Sequence, residues 1–174
     1  GGARVEGAEL TAALIEASGF EKVEGPVTLS PLDNGTYEIN GQTFDKVILA
    51  CGAWLGQTLE PLGFEVDVRP QKGQLRDYFF EGMDTAKLPV LMPEGELDVI
   101  PFAGGKISVG VSHENDQGFD LTVDETVLAS LEEEAKTYFP GLRTANSFSE
   151  RVGTRAYTSD FSPFFGEVPE LESV

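Results

Sequence analysis

A chain of 174 residues with 40% hydrophobic and 10% aromatic content can build one sizeable core or two small ones, which sets intrinsic disorder aside. Twelve Lys and Arg against thirty Asp and Glu give a formal net charge of -18, a field that repels phosphate backbones and anionic lipid and so argues against nucleic acid as a partner. One cysteine, Cys51, and one histidine, His113, exclude an intrachain disulfide and leave too few soft ligands for zinc.

In chain order, Leu10, Ala13, Leu14 and Ala17 recur at helical spacing through residues 6–18, and Gly19 supplies the stop. The segment 21–29 has strand character. Asn34-Gly35 favours a tight hairpin into Thr36-Tyr37-Glu38-Ile39, and Asn40-Gly41 repeats the signal. Val47-Ile48-Leu49-Ala50 is continuously apolar and reads as a buried parallel strand, followed by a short helix over 54–62. Beyond Gly63 the pattern turns to antiparallel sheet: one long strand over 66–78, then strands over 98–101 and 107–111 with Gly104-Gly105 as the turn between them. Residues 121–139 form the clearest helix, opened by Thr122 and Glu125 as a capping box and closed by Pro140-Gly141. Its apolar stripe is Val127, Leu128, Leu131, Ala135 and Tyr138. A further strand is expected over 148–158, then an irregular tail in which Phe161, Phe164 and Phe165 read as exposed.

No apolar run approaches the ~20 residues of a membrane span, and Gly1-Gly2-Ala3-Arg4 is not a signal peptide, so the expected setting is cytoplasmic and reducing. A helix feeding a buried strand at one end and Val168-Pro169-Glu170-Leu171 at the other read as the ends of an internal piece of a longer protein.

Most catalytic motifs are missing. There is no Gly-x-Gly-x-x-Gly to receive a pyrophosphate, and Gly104-Gly105-Lys106 lacks both the earlier glycine and the Ser or Thr of a phosphate loop. There is no Gly-x-Ser-x-Gly elbow, and Cys51 and His113 would have to meet across the fold to form a nucleophilic pair. Arg155, among small and hydroxyl residues in Arg151-Val152-Gly153-Thr154-Arg155-Ala156-Tyr157-Thr158, can offer a planar fork to a carboxylate; a surface salt bridge to one of thirty acids is the competing reading.

Four segments, taken in order, resemble one family. Val47-Ile48-Leu49-Ala50-Cys51-Gly52-Ala53-Trp54 is similar to a strand and turn that touch the flavin in the FAD-dependent glycine, sarcosine and D-amino-acid oxidases. Pro70-Gln71-Lys72-Gly73-Gln74 resembles the strand opening their substrate domain, and Ile100-Pro101 through Val109-Gly110-Val111-Ser112-His113-Glu114 resembles their hairpin. Gly153-Thr154-Arg155-Ala156-Tyr157-Thr158-Ser159-Asp160-Phe161-Ser162-Pro163 resembles their Gly-x-Arg segment.

The resemblance implies that Arg155 pairs the substrate carboxylate and that His113 lines the pocket, where an exposed loop histidine is the alternative. It implies that Ala50, Cys51, Gly52 and Trp54 mark the flavin edge, with the Cys51 thiol a bystander. Asp98 stands where glycine-oxidase-like members have a tyrosine, and a substrate hydroxyl contact goes with it. Lys72 is expected to solvate a strand edge. The implied class is α+β: residues 1–64 as a remnant of the FAD-binding domain, 65–160 as an antiparallel substrate domain with the helix over 122–139, and 161–174 as a return segment. The implied cofactor is FAD, held by the longer protein rather than by these residues. The implied substrate is a small amino acid or N-methyl amine, and an uncovered apolar face favours dimers. A non-catalytic amino-acid-binding or interaction module and a tRNA-modifying flavoenzyme branch are the alternatives, the latter disfavoured by the charge.

Overall fold

The computed structural model describes residues 4–163 and 165–171, so Phe164 lies outside the described residues. Among the described residues there are two helices of 12 and 14 residues, one of 5 and seven strands, and the pairings with a defined register are antiparallel, as expected of an α+β chain. No described helix is long and apolar enough to cross a membrane. The residues divide into two compact units, 1–20 with 71–154 and 21–70 with 155–174. The division falls within strands and groups the first helix with the sheet.

The first unit opens with α1 (Gly7–Ser18), ended as expected by Gly19 in the left-handed conformation, φ 65°. None of its residues is buried, and Leu10 and Leu14 face solvent. The sheet combines β4 (Arg69–Phe79), β5 (Asp98–Pro101), β6 (Lys106–Gly110) and β7 (Ser147–Tyr157) in the order β5-β6-β4-β7. β6 pairs β4 from Leu75↔Gly110 to Phe79↔Lys106, and pairs β5 from Asp98↔Gly110 to Pro101↔Ile107.

Packing at Gly110 requires the absence of a side chain, because a Cβ there would sit 2.5 Å from the Cβ of Leu75. Gly105 is equally constrained, a Cβ meeting the Phe80 carbonyl oxygen at 2.2 Å. One hydrophobic cluster joins Tyr78, Phe80, Leu97, Val99, Ile107 and Val109 to Ala135 and Leu142.

The long helix, α3 (Glu125–Tyr138), starts later than its capping-box pattern predicts. Asp124 is the N-cap, its carboxylate accepting from the N–H groups of Thr126 and Val127. The Thr122 hydroxyl instead donates to Asp120 at 2.7 Å, a local turn that takes it away from the helix. Of the expected stripe, Leu128 and Ala135 are buried, whereas Tyr138 is exposed.

In the second unit, β1 (Leu29–Pro31), β2 (Tyr37–Ile39) and β3 (Gln42–Phe44) form a meander. Both Asn-Gly turns are where the sequence places them. Asn40 and Gly41, at φ 50° and 82°, join the paired residues Ile39 and Gln42, the two positive φ values that a two-residue hairpin requires. The strand expected over 21–29 is confined to its last residue.

Val47-Ile48-Leu49-Ala50 is not a strand: Ile48 is 91% exposed and none of the four is buried. A run apolar on both faces forms a buried strand only between neighbours that take its N–H and C=O groups, and no described strand lies beside it. The expected short helix follows, as a 3-10 turn at Gly52–Trp54, α2 (Leu55–Leu59) and a second 3-10 turn at Glu60–Leu62.

Candidate functional site

β4 carries polar side chains on both faces, and all of them are engaged. Even-numbered residues reach toward α3 and the loop preceding it. Lys72 Nζ donates to the Thr122 carbonyl, and Gln74 Nε2 donates to Glu114 Oε1 at 2.7 Å. Arg76 donates from Nη1 to Glu132 at 2.8 Å and from Nη2 to Glu125 and Glu150 at 2.7 and 2.8 Å. Burial opposes the Arg76 charge, but these carboxylates and Tyr78 outweigh it and hold its pKa above the ordinary value.

Odd-numbered residues turn the other way. Gln71 donates to Asn115, and Asp77 accepts from the Ser108 hydroxyl and from Arg151 Nε at 2.7 Å. Lys72 is 2% exposed, so it is a buried member of this network and not a solvating edge residue. The motif Pro70-Gln71-Lys72-Gly73-Gln74 therefore provides buried ties rather than free functional groups.

At one end of the same sheet the structure brings together Asp98, on β5, and His113, just past β6. His113 Nδ1 lies 3.0 Å from Oε2 of Glu96, which precedes Asp98 by two residues. Burial raises the Asp98 pKa, and His113 works in the opposite direction. The imidazole thus has one carboxylate, Glu96, at 3.0 Å, without hydrogen-bond geometry at Nδ1, and a second, Asp98, near enough to act on it electrostatically. Sequence reasoning missed Glu96, which lies in the bend before β5 and carries no motif of its own.

Arg155 is half-buried on β7 and belongs to the second compact unit, as do Ala50, Cys51, Gly52 and Trp54. Ala50 and Gly52 are exposed, Cys51 is half-buried, and Trp54 is 49% exposed. Gly52 has φ 54°, and a Cβ built there would meet nothing within 4 Å, so the space beside this turn is open. The second unit also encloses a cleft of about 630 Å³, lined mainly by apolar groups including Ile48, Leu55, Leu59 and Phe64. Among the described residues, no cluster of His, Cys, Asp and Glu could hold a metal ion.

A family model described as FAD dependent oxidoreductase (DAO) matches residues 1–174. An uncharacterised oxidoreductase of Bacillus subtilis, YurR, is 34% identical over 183 residues, a match spanning 100% of this chain and 49% of the relative. A glycine oxidase of Pseudomonas aeruginosa is 34% identical over 137 residues, covering 79% of this chain and 36% of the relative. The crystal structure of iminodiacetate oxidase from Chelativorans sp. BNC1 superimposes with a TM-score of 0.91 at 30% identity, covering 98% of this chain and 48% of that one. The chain thus spans half or less of the length of the curated relatives it matches.

Proposed function

Because the chain belongs to the DAO family of FAD-dependent oxidoreductases, we propose that it is the substrate-side part of a longer enzyme that oxidises the C–N bond of a small amino acid or N-substituted amine. The observation that carries this reading is the superposition on iminodiacetate oxidase over 98% of the chain. In this reading residues 65–160 hold the substrate, while 1–64 and 161–174 border the flavin.

The described residues do not themselves fit the phosphate portion of FAD. Each of the two helices long enough to offer an N-terminal anion site begins with carboxylates, Glu6 and Glu9 at α1 and Asp124 and Glu125 at α3, which repel a pyrophosphate. Only the open backbone at Ala50–Gly52 suits the flat edge of the group. FAD, when bound, supplies the hydride acceptor, and the protein's part is to bind and orient the substrate.

Arg155 then pairs the carboxylate through its planar fork. In the first unit, the Asp98 and Glu96 carboxylates beside His113 form an acidic group suited to an ammonium centre. Asp98 in place of an aromatic hydroxyl favours a charged nitrogen over a hydroxyl contact as the recognised feature.

Anaerobic mixing of the full-length, FAD-loaded protein with glycine, sarcosine or iminodiacetate tests the reading by following the flavin band near ~450 nm. Bleaching by at least one of them within seconds is expected. A band that none of them bleaches, nor any D-amino acid, contradicts the proposal.

A further inference from the structure

His113 sits in the connection between β6 and α3, residues 111–124, a stretch long enough to adopt several conformations unless it is tied down. It is tied to β4, and the Gln74 side chain makes two of the ties. Gln74 is 0% exposed and uses its whole amide on this loop. Its Nε2 donates to Glu114 Oε1 at 2.7 Å, and its Oε1 accepts the N–H of Asp124, the helix cap, at 2.7 Å.

The Gln74 main chain adds two more bonds. Its N–H donates to Ser112 Oγ at 2.9 Å, and its carbonyl accepts the Ser112 N–H at 3.0 Å. Ser112 Oγ in turn donates to the same Glu114 oxygen at 2.5 Å. The residues immediately before and after His113 and the far end of the loop are therefore all fastened to Gln74. Two residues earlier, Lys72 exchanges both main-chain bonds with Glu114, at 3.0 and 2.9 Å.

We propose that Gln74 is a positioning residue for His113. It does not touch the imidazole. It fixes the backbone at 112–114 so that the ring stays beside Asp98 and within 3.0 Å of Glu96. An amide suits the task because it must donate to a carboxylate and accept from an N–H at once, and at a fully buried site neither a carboxylate nor an apolar chain does both. The positioning stands on these contacts alone. Its consequence for turnover rests on the reading of His113 given above.

His113 is the one histidine in the 174-residue sequence, so its ring Cε1–H resonance in this chain is unambiguous by NMR. Gln74→Met keeps the volume and removes both side-chain bonds; Gln74→Glu keeps the shape and sets a carboxylate against Glu114. Leu142→Ala, in the hydrophobic cluster away from the loop, is the control for general destabilisation.

At fixed pH, with each protein folded, the resonance should lose most of its offset from the unfolded-chain position in either Gln74 variant and keep it in Leu142→Ala. Should Gln74→Met not fold, Gln74→Glu decides. A resonance unmoved in a folded Gln74 variant, or moved as far by Leu142→Ala, overturns the proposal. In the full-length protein, His113→Asn with unchanged amine oxidation would remove the role of His113 while leaving the NMR result standing, so the two failures are distinguishable.

Discussion

Ile107 and Ile48 are the same residue in two settings. Ile107 is 1% exposed, in a strand flanked by β4 and β5. Ile48 is 91% exposed, in a run at least as apolar but with no ladder partner among the described residues. The difference shows that the composition of a segment specifies what it would bury, whereas strands on both sides decide whether it does. In the first unit most buried polar groups are bonded as well: Gln74, Asp77 and the Arg76 Nη atoms have partners that offset their desolvation, while Arg76 Nε has none.

Truncating one apolar residue in each unit should give the largest difference. Leu97→Ala, at 1% exposure in the cluster, should cost about 3 kcal/mol in urea unfolding, whereas Ile48→Ala should stay within about 0.5 kcal/mol. Equal costs would mean that residues 47–50 are packed in solution. A smaller effect sharpens the view of the polar groups as engaged in specific bonds. Asp124→Ala should cost about 1 kcal/mol through loss of the α3 cap, and Thr122→Ala, whose hydroxyl serves only the preceding turn, clearly less.

The smallest effect has the opposite sign. Burial raises the Asp98 pKa, so its contribution to stability is fully present below the ordinary aspartate value of about 3.9 and is lost as pH rises through the folded-state pKa. Asp98→Asn should therefore unfold at a higher temperature than the parent chain at pH 7, with the gain vanishing in acid. A loss of stability at pH 7 would show that Asp98 is held by favourable partners rather than kept at a cost for function.

Much of the fold was legible because its signals are local. The two Asn-Gly turns, the Gly104-Gly105 turn and the strands over 98–101 and 106–110 follow from two-residue chemistry and alternation. The long helix was legible to within a few residues of its start. Its cap was not, because Asp120 and Asp124 both lie close to Thr122 and the competition among them is decided in three dimensions.

Residues 47–50 were misread because their burial depends on neighbours that no local pattern supplies. Lys72 was misread for the reverse reason, as nothing nearby announces that β4 is covered. Of the candidate site, Asp98 and His113 were visible through resemblance and are brought together. Gln74 emerges only when the pairing of β4 with the loop that carries His113 is known, and Glu96 only when the fold sets the bend before β5 beside that loop.

The proposed recognition of an amine bearing a carboxylate stands or falls with Arg155. In the full-length FAD-loaded protein, Arg155→Ala should lower kcat/KM for the best amino-acid substrate about 100-fold, the size expected for losing a charge-assisted bidentate pair. Oxidation of the matching amine without its carboxylate, slow in both proteins, should be unchanged. Equal losses on both substrates, or no loss on either, would mean that Arg155 does not pair the substrate carboxylate.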